Sequence, residues 1–156
     1  MKTNAMRLLD QKKITYKVHD YVATGAVSGL EVAEALNQKS TEVFKTLVTV
    51  SKSKNHYVFI VPVCSDLDLK KAAKAVNEKS VEMIKSKDLL ALTGYVHGGC
   101  SPIGMKKVFT TVIDESVKDL ATFYISGGKV GYQIEISLTE LEKVLKFSLA
   151  NICSTE

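Results

Sequence analysis

The sequence is short of the residues that build specialised scaffolds. It has 2 prolines and 9 glycines in 156 residues, too few for a disordered or fibrous chain. Its 3 cysteines are Cys64, Cys100 and Cys153. The count is odd and no Cys-x-x-Cys occurs, which argues against a disulfide framework or a thiolate zinc site. Reduced thiols in a cytoplasm fit best. No stretch approaches ~18 uninterrupted apolar residues, so no transmembrane helix is expected. The segment after Met1 carries charges at Arg7 and Asp10 and lacks the apolar core of a secretory signal. An excess of one charge is nearly missing too: 21 basic against 17 acidic side chains leave +4. That permits a polyanionic partner without demanding one. The 3 histidines, His19, His56 and His97, fall in no His-Glu-x-x-His or paired spacing. His97 with Cys100 would give a metal only two ligands.

What is present suits an ordinary folded domain. The apolar fraction is 46% and the charged fraction 24%. At ~100–200 residues per domain, residues 1–156 are expected to form one, burying roughly 70% of the unfolded surface. Thr3 is placed to cap a first helix. Ile14, Tyr16 and Val18 alternate with polar residues as in a half-buried strand. Ser28-Gly29-Leu30-Glu31 is a capping box for a helix through Leu36. Lys45–Val50 and Tyr57–Val63 predict a hairpin around a polar stretch. Asp66 is expected to cap a helix with Leu69, Ala72, Ala73 and Val76 on one face. Val81–Ile84 and Tyr95–His97 predict short strands, with a helix from Ser86 to Gly94 between them. Strands follow at Phe109–Ile113 and Thr122–Ile125. Gly127-Gly128-Lys129 is expected to turn the chain into a strand at Tyr132–Ile136. Ser137-Leu138-Thr139-Glu140 predicts a second capping box and a helix through Leu145. This is an α/β or α+β pattern with a mixed sheet.

Two glycine loops fail as phosphate loops. Gly99 to Gly104 has the Walker spacing, but Met105 stands where the lysine belongs. Gly128-Lys129 lacks the first glycine, which is Phe123. The loop Gly98-Gly99-Cys100-Ser101-Pro102-Ile103-Gly104 nevertheless exposes bare backbone amides, suited to a carbonyl or oxyanion. Ser101 has no Gly-x-Ser-x-Gly elbow to make it a triad serine. Cys100 is a candidate nucleophile, although a lone cysteine is more often simply buried. Lys45 opens an apolar strand and points either into a pocket or off an edge. Lys70, Lys71 and Lys74 form a solvated helix face or, with Lys106, Lys107 and Lys129, a phosphate-tracking surface.

Taken together, Val18-His19-Asp20-Tyr21, Val43-Phe44-Lys45-Thr46-Leu47, Asp68 to Ala75, Thr93-Gly94-Tyr95 with Gly98 to Lys107, and Ser126-Gly127-Gly128-Lys129 with Gly131 resemble the YbaK/EbsC family. Five such motifs run in register over nearly the whole chain. That family comprises aminoacyl-tRNA deacylases related to the editing domain of bacterial prolyl-tRNA synthetase. The resemblance implies a mixed sheet rolled into a partly open barrel with helices outside. It implies hydrolysis of a misacylated tRNA ester, foremost cysteine on proline tRNA, with no metal or cofactor. The partners it implies are the aminoacylated acceptor end of tRNA and prolyl-tRNA synthetase, with no DNA and no membrane. By resemblance Lys45 is the active-site lysine, and Tyr21, Thr46, Gly98, Gly99, Ser101, Pro102 and Ser126 are pocket positions. Gln133 stands where close relatives carry an aspartate; it keeps polarity but cannot be an anion or a base. In the mechanism implied for this family the substrate's own thiol attacks its ester, which would explain why no triad or metal motif is visible. An alanyl-prolyl-tRNA deacylase and a non-catalytic tRNA- or synthetase-binding module are the rival readings.

Overall fold

The computed structural model describes residues 1–154. The element order is α1 (Asn4–Gln11), β1 (Lys17–Asp20), α2 (Gly29–Ala35), β2 (Phe44–Ser51), β3 (His56–Pro62), α3 (Leu69–Ala75), β4 (Val81–Met83), α4 (Ser86–Thr93), β5 (Thr110–Asp114), β6 (Phe123–Lys129), β7 (Tyr132–Ile136), α5 (Leu138–Leu141) and β8 (Ser148–Ala150). The strands form two sheets, ordered β1-β7-β6 and β4-β2-β3-β5-β8. The smaller is antiparallel. The larger is mixed, with β2 antiparallel to β3 and β4, and β5 parallel to β3 and β8. The sheets touch at one corner, where Val43 bridges Tyr124 and Tyr124 N–H donates to the Glu42 carbonyl at 3.0 Å. The implied barrel is therefore two sheets joined at a corner and open elsewhere, within the mixed α/β class expected.

Strand alternation explains the layers. Phe44 and Val48 of β2, Val58 and Ile60 of β3, and Ile113 of β5 face Phe123, Ile125, Ile134 and Ile136 of the smaller sheet. Ala5, Met6 and Leu9 of α1 close this core. The other face of the large sheet presents Phe59, Val61 and Val112 to Ala72 and Ala73 of α3. β3 is thus buried on both faces, which is why Val58 to Val61 is an unbroken apolar run.

Several local expectations need correction. The N-cap of α3 is Asp68, not Asp66: its carboxylate accepts from Lys70 and Lys71 N–H, each at 3.0 Å. Ser28 forms the full capping box. At Ser137 only half of one forms, because Glu140 Oε1 accepts from Thr15 N–H at 2.7 Å instead, and α5 stops at Leu141. Tyr95–His97 is loop, anchored by the Tyr95 hydroxyl donating to the Ile103 carbonyl at 2.5 Å. β6 runs on through Gly127 and Gly128 as an irregularity between Ser126 and Lys129. The turn comes later, at Val130-Gly131, where Gly131 has φ +104°. β1 starts only at Lys17, with Ile14 buried ahead of it. β8 is an addition to the expected strands; its three residues carry no alternation to read.

Candidate functional site

A cavity of about 530 Å³ opens between β2, the N-terminal half of α2, Tyr21, the 97–98 turn with Cys100, and the segments 125–126 of β6 and 132–133 of β7. Its walls bring together Tyr21, Lys45, Thr46, Gly98, Ser126 and Gln133, residues far apart in sequence. The size suits a small-molecule portion of a ligand.

The β2 wall exists because β4 is short. Val63 N–H bonds the Val43 carbonyl at 2.7 Å and Ser51 N–H bonds the Asn55 carbonyl at 2.9 Å. In an antiparallel ladder these fix the odd-numbered residues of β2 as those whose amides face β3. The even-numbered amides face the other way, where β4 covers only Thr49 to Ser51. The last bond on that side runs from Ile84 N–H to the Val48 carbonyl at 3.2 Å. Beyond it, among the described residues, no strand pairs with the N–H and C=O of Thr46, which lie on the edge that lines the cavity. Thr46 Oγ1 is also buried without a hydrogen-bond partner, alone in this among the described residues. A buried polar atom left so costs about 1–3 kcal/mol, which a ligand atom would relieve.

Lys45 is half-buried on this edge. Its Nζ lies 3.9 Å from Asp66 Oδ1, a carboxylate whose side chain is 92% exposed. That distance is too long for a hydrogen bond, and the ammonium donates none among the described residues. A cation with three free donors therefore stands at a cavity wall.

On the sheet wall Ser126 and Gln133 sit directly opposite one another in the β6–β7 ladder. The Ser126 hydroxyl accepts from Gly128 N–H at 3.1 Å, which leaves its own proton free to donate. Gln133 is 2% exposed and its carboxamide pairs with that of Gln38, with both N···O distances 2.8 Å. Glu31 also lines the cavity. The Ser28 backbone and hydroxyl hold its carboxyl below the usual range.

The glycine-proline loop contributes less surface than its sequence suggests. Gly98, with φ +85°, reaches the cavity. Gly99, Ser101 and Pro102 are buried behind the wall. A Cβ on Gly99 would lie 3.0 Å from Val130 N, and Ser101 Oγ accepts from Ile103 N–H at 3.2 Å. Their place is to hold the loop against β6 and β7. His97 and Cys100 do line the cavity. Burial pushes the Cys100 thiol up to about 11, so at neutral pH only about one molecule in 10⁴ is thiolate. Among the described residues no three His, Cys, Asp or Glu side chains cluster as metal ligands.

The predicted RNA-contacting lysines lie at three places. Lys70 and Lys74 line a separate shallow groove with Asn77, Glu78 and Lys79. Lys129 is exposed beside Gly99. Lys106 and Lys107 are exposed on the stretch after the loop, the Lys106 stem lying over Gly94. Sequence reasoning missed the α2 wall, Met83 to Ser86, and Gln38. The capping box located α2, but nothing local said which strand it would face.

Residues 25–144 match the aminoacyl-tRNA editing domain family. An Enterococcus faecalis protein named as a Cys-tRNA(Pro)/Cys-tRNA(Cys) deacylase, EbsC, is 42% identical over 156 residues, covering 99% of this chain and 95% of that protein. A proline–tRNA ligase of Lactobacillus helveticus is 26% identical over 115 residues, 73% of this chain and 20% of the ligase. A crystal structure described as a trans-editing enzyme for prolyl-tRNA synthetase superposes with a TM-score of 0.86 at 22% identity, covering 97% of this chain and 96% of that one. At that identity the likeness is one of fold.

Proposed function

The chain belongs to the aminoacyl-tRNA editing domain family, and on that premise we propose that it deacylates misacylated tRNA in the cytoplasm, releasing cysteine from proline tRNA. The observation that carries the reading is one cavity lined by Lys45, whose ammonium has only a 3.9 Å contact with the exposed Asp66 carboxylate, and by Thr46, whose buried hydroxyl has no hydrogen-bond partner among the described residues, while the Cys100 thiol on its wall is pushed up to about 11 by burial. Such a site stabilises charge on a carbonyl oxygen and offers no nucleophile of its own.

The substrate supplies the nucleophile. The cysteinyl thiol loses its proton and its sulfur attacks the ester carbonyl of the same residue. The C–O bond to the terminal ribose breaks, the ribose oxygen takes up a proton, and a cyclic thioester leaves. Water then adds to that thioester and opens it to free cysteine. No oxidant or reductant is needed. Lys45 Nζ and the Thr46 N–H stabilise the developing oxyanion; Ser126, Gln133 and Tyr21 orient the aminoacyl group, so that proximity does most of the work. Because the C–O bond breaks without water while the aminoacyl group closes into a ring, the first step is formally a lyase-type cleavage, and with the later ring opening by water the sum is hydrolysis. The acceptor stem is held by phosphate contacts from Lys106, Lys107 and Lys129, with Lys70 and Lys74 as a second contact. Prolyl-tRNA synthetase is the partner that would select the tRNA.

Release of labelled cysteine, alanine or serine from proline tRNA tests the reading. Fast release of cysteine supports it. Preferential release of alanine would make the chain an alanyl-tRNA deacylase. Binding without release of any would leave it a non-catalytic tRNA-binding module.

A further inference from the structure

We propose that Gln38 is a positioning residue of this site, fixing the carboxamide of Gln133 and keeping that part of the wall polar but uncharged. Gln38 Nε2–H donates to Gln133 Oε1 at 2.8 Å, and Gln133 Nε2–H donates back to Gln38 Oε1 at 2.8 Å. Two reciprocal hydrogen bonds close a ring, which fixes both amide planes. A carboxamide has two N–H donors and two acceptor lone pairs. The ring takes one of each from Gln133, so one N–H and one lone pair remain for a ligand, in a defined direction.

Gln38 is itself firmly carried. Its backbone N–H donates to the Ala33 carbonyl at 2.8 Å. The preceding Asn37 is left-handed, φ +54°, and donates to the Glu34 carbonyl at 3.1 Å. This is a helix-ending motif that satisfies the last carbonyls of α2. The amide pair therefore ties the C-terminal end of α2 to β7, while the N-terminal half of α2 lines the cavity. The nearest carboxylate along β7 points to other partners: Glu135 accepts from Thr122 Oγ1 and meets His19 Nε2, each at 2.8 Å. A carboxylate in place of either glutamine would face the carbonyl oxygen of the other, so the pair specifies neutrality at both positions.

The kinetic test rests on the deacylase reading; a spectroscopic one does not. Gln38→Ala is expected to lower kcat/KM for cysteinyl-tRNA about tenfold, with the loss in kcat rather than KM, since phosphate contacts elsewhere hold the tRNA. Gln38→Glu separates positioning from bulk. When ionised, the new carboxylate accepts from Gln133 Nε2 but repels Oε1. When protonated, it restores both bonds. The ratio of variant to parent kcat/KM should climb towards one as pH falls from about 7.5 to about 5, because a carboxyl facing a carbonyl titrates above its usual ~4.3. Glu34 and Lys39 flank Gln38 along the chain, His19, Tyr124 and Glu135 lie on the paired strands β1, β6 and β7, and Lys45, Glu31, Tyr21, His97 and Cys100 line the cavity. All are present in the parent, so the ratio isolates the introduced group. A flat ratio, or Gln38→Ala turnover equal to the parent's, overturns the proposal. Independently, the Gln133 side-chain amide protons should exchange with solvent at least tenfold faster in Gln38→Ala. Unchanged exchange overturns the proposal even if the parent releases no amino acid, an outcome that would separately sink the deacylase reading.

Discussion

Replacing Lys45 separates catalysis from stability because of how loosely the structure holds its ammonium. The carboxylate within 4 Å of it among the described residues, that of Asp66, lies 3.9 Å away and its side chain is 92% exposed. An exposed pair at that distance contributes at most about 0.5 kcal/mol, which for a chain of this size moves Tm by about 1–2 °C. The Lys45 stem packs beside the cavity, so Lys45→Met keeps its apolar volume and removes only the charge. Within a cavity that admits one ester group, loss of a preorganised electrostatic contact to the oxyanion costs a factor of about 10² to 10³ in rate, or about 2.7–4 kcal/mol of transition-state stabilisation. The expected outcome is a nearly unchanged melting curve and a collapsed single-turnover rate on cysteinyl-tRNA. Asp66→Ala, which frees the ammonium further, should leave the rate within about threefold of the parent. A well-folded Lys45→Met protein retaining more than a third of the parent rate would refute the assignment of Lys45 to the oxyanion.

A protein lacking Cys64, Cys100 and Cys153 should still deacylate cysteinyl-tRNA once circular dichroism shows it folded, and should be much slower on seryl-tRNA, whose hydroxyl is the weaker nucleophile. In the parent, iodoacetamide should label the exposed Cys64 well before the buried Cys100, whose thiol is pushed up to about 11. Replacing Lys106, Lys107 and Lys129 by alanine should flatten the dependence of tRNA binding on log salt by about 0.7–0.9 for each phosphate no longer neutralised; Lys70 and Lys74 together should do the same to a smaller extent, and unaltered slopes would remove either group from the tRNA path. Glu135 is held below the ordinary glutamate range, first by its hydrogen bond with His19. Its stabilisation is therefore full above about pH 5 and is lost as pH falls through the lowered pKa, so the Tm difference between the parent and His19→Ala should be present at pH 6 and narrow towards pH 3.

Local physics was legible along the chain. The caps at Thr3 and Ser28, the apolar run of β3, and the polar tip between β2 and β3 are decided by residues within a few positions of one another. That is why periodicity and cap chemistry found α1, α2, β2 and β3. Where two partners compete for one group, the same rules misled. Glu140 satisfies Thr15, 125 residues away, in preference to its own helix N-terminus. Asp68 rather than Asp66 caps α3 because residues 66–68 are held against residues 152–154 by backbone bonds from Asp68 N–H to the Ile152 carbonyl at 2.8 Å and from Ser154 N–H to the Asp66 carbonyl at 2.9 Å, so the helix opens only at Leu69. The motifs were enough for the resemblance, and the match over residues 25–144 bears that out. They could not say that Gly98 would reach the cavity while Ser101 would pack behind it, since a glycine-rich loop reads the same in either position. Which residues line the cavity depends on β4 pairing with only the last three residues of β2, on the corner where Val43 meets Tyr124, and on where α2 is anchored. The Gln38–Gln133 pair joins residues 95 apart. Each glutamine alone reads as an ordinary polar residue. A hydrogen bond needs both partners in register within a few tenths of an ångström, and only the packed sheets and helices supply that.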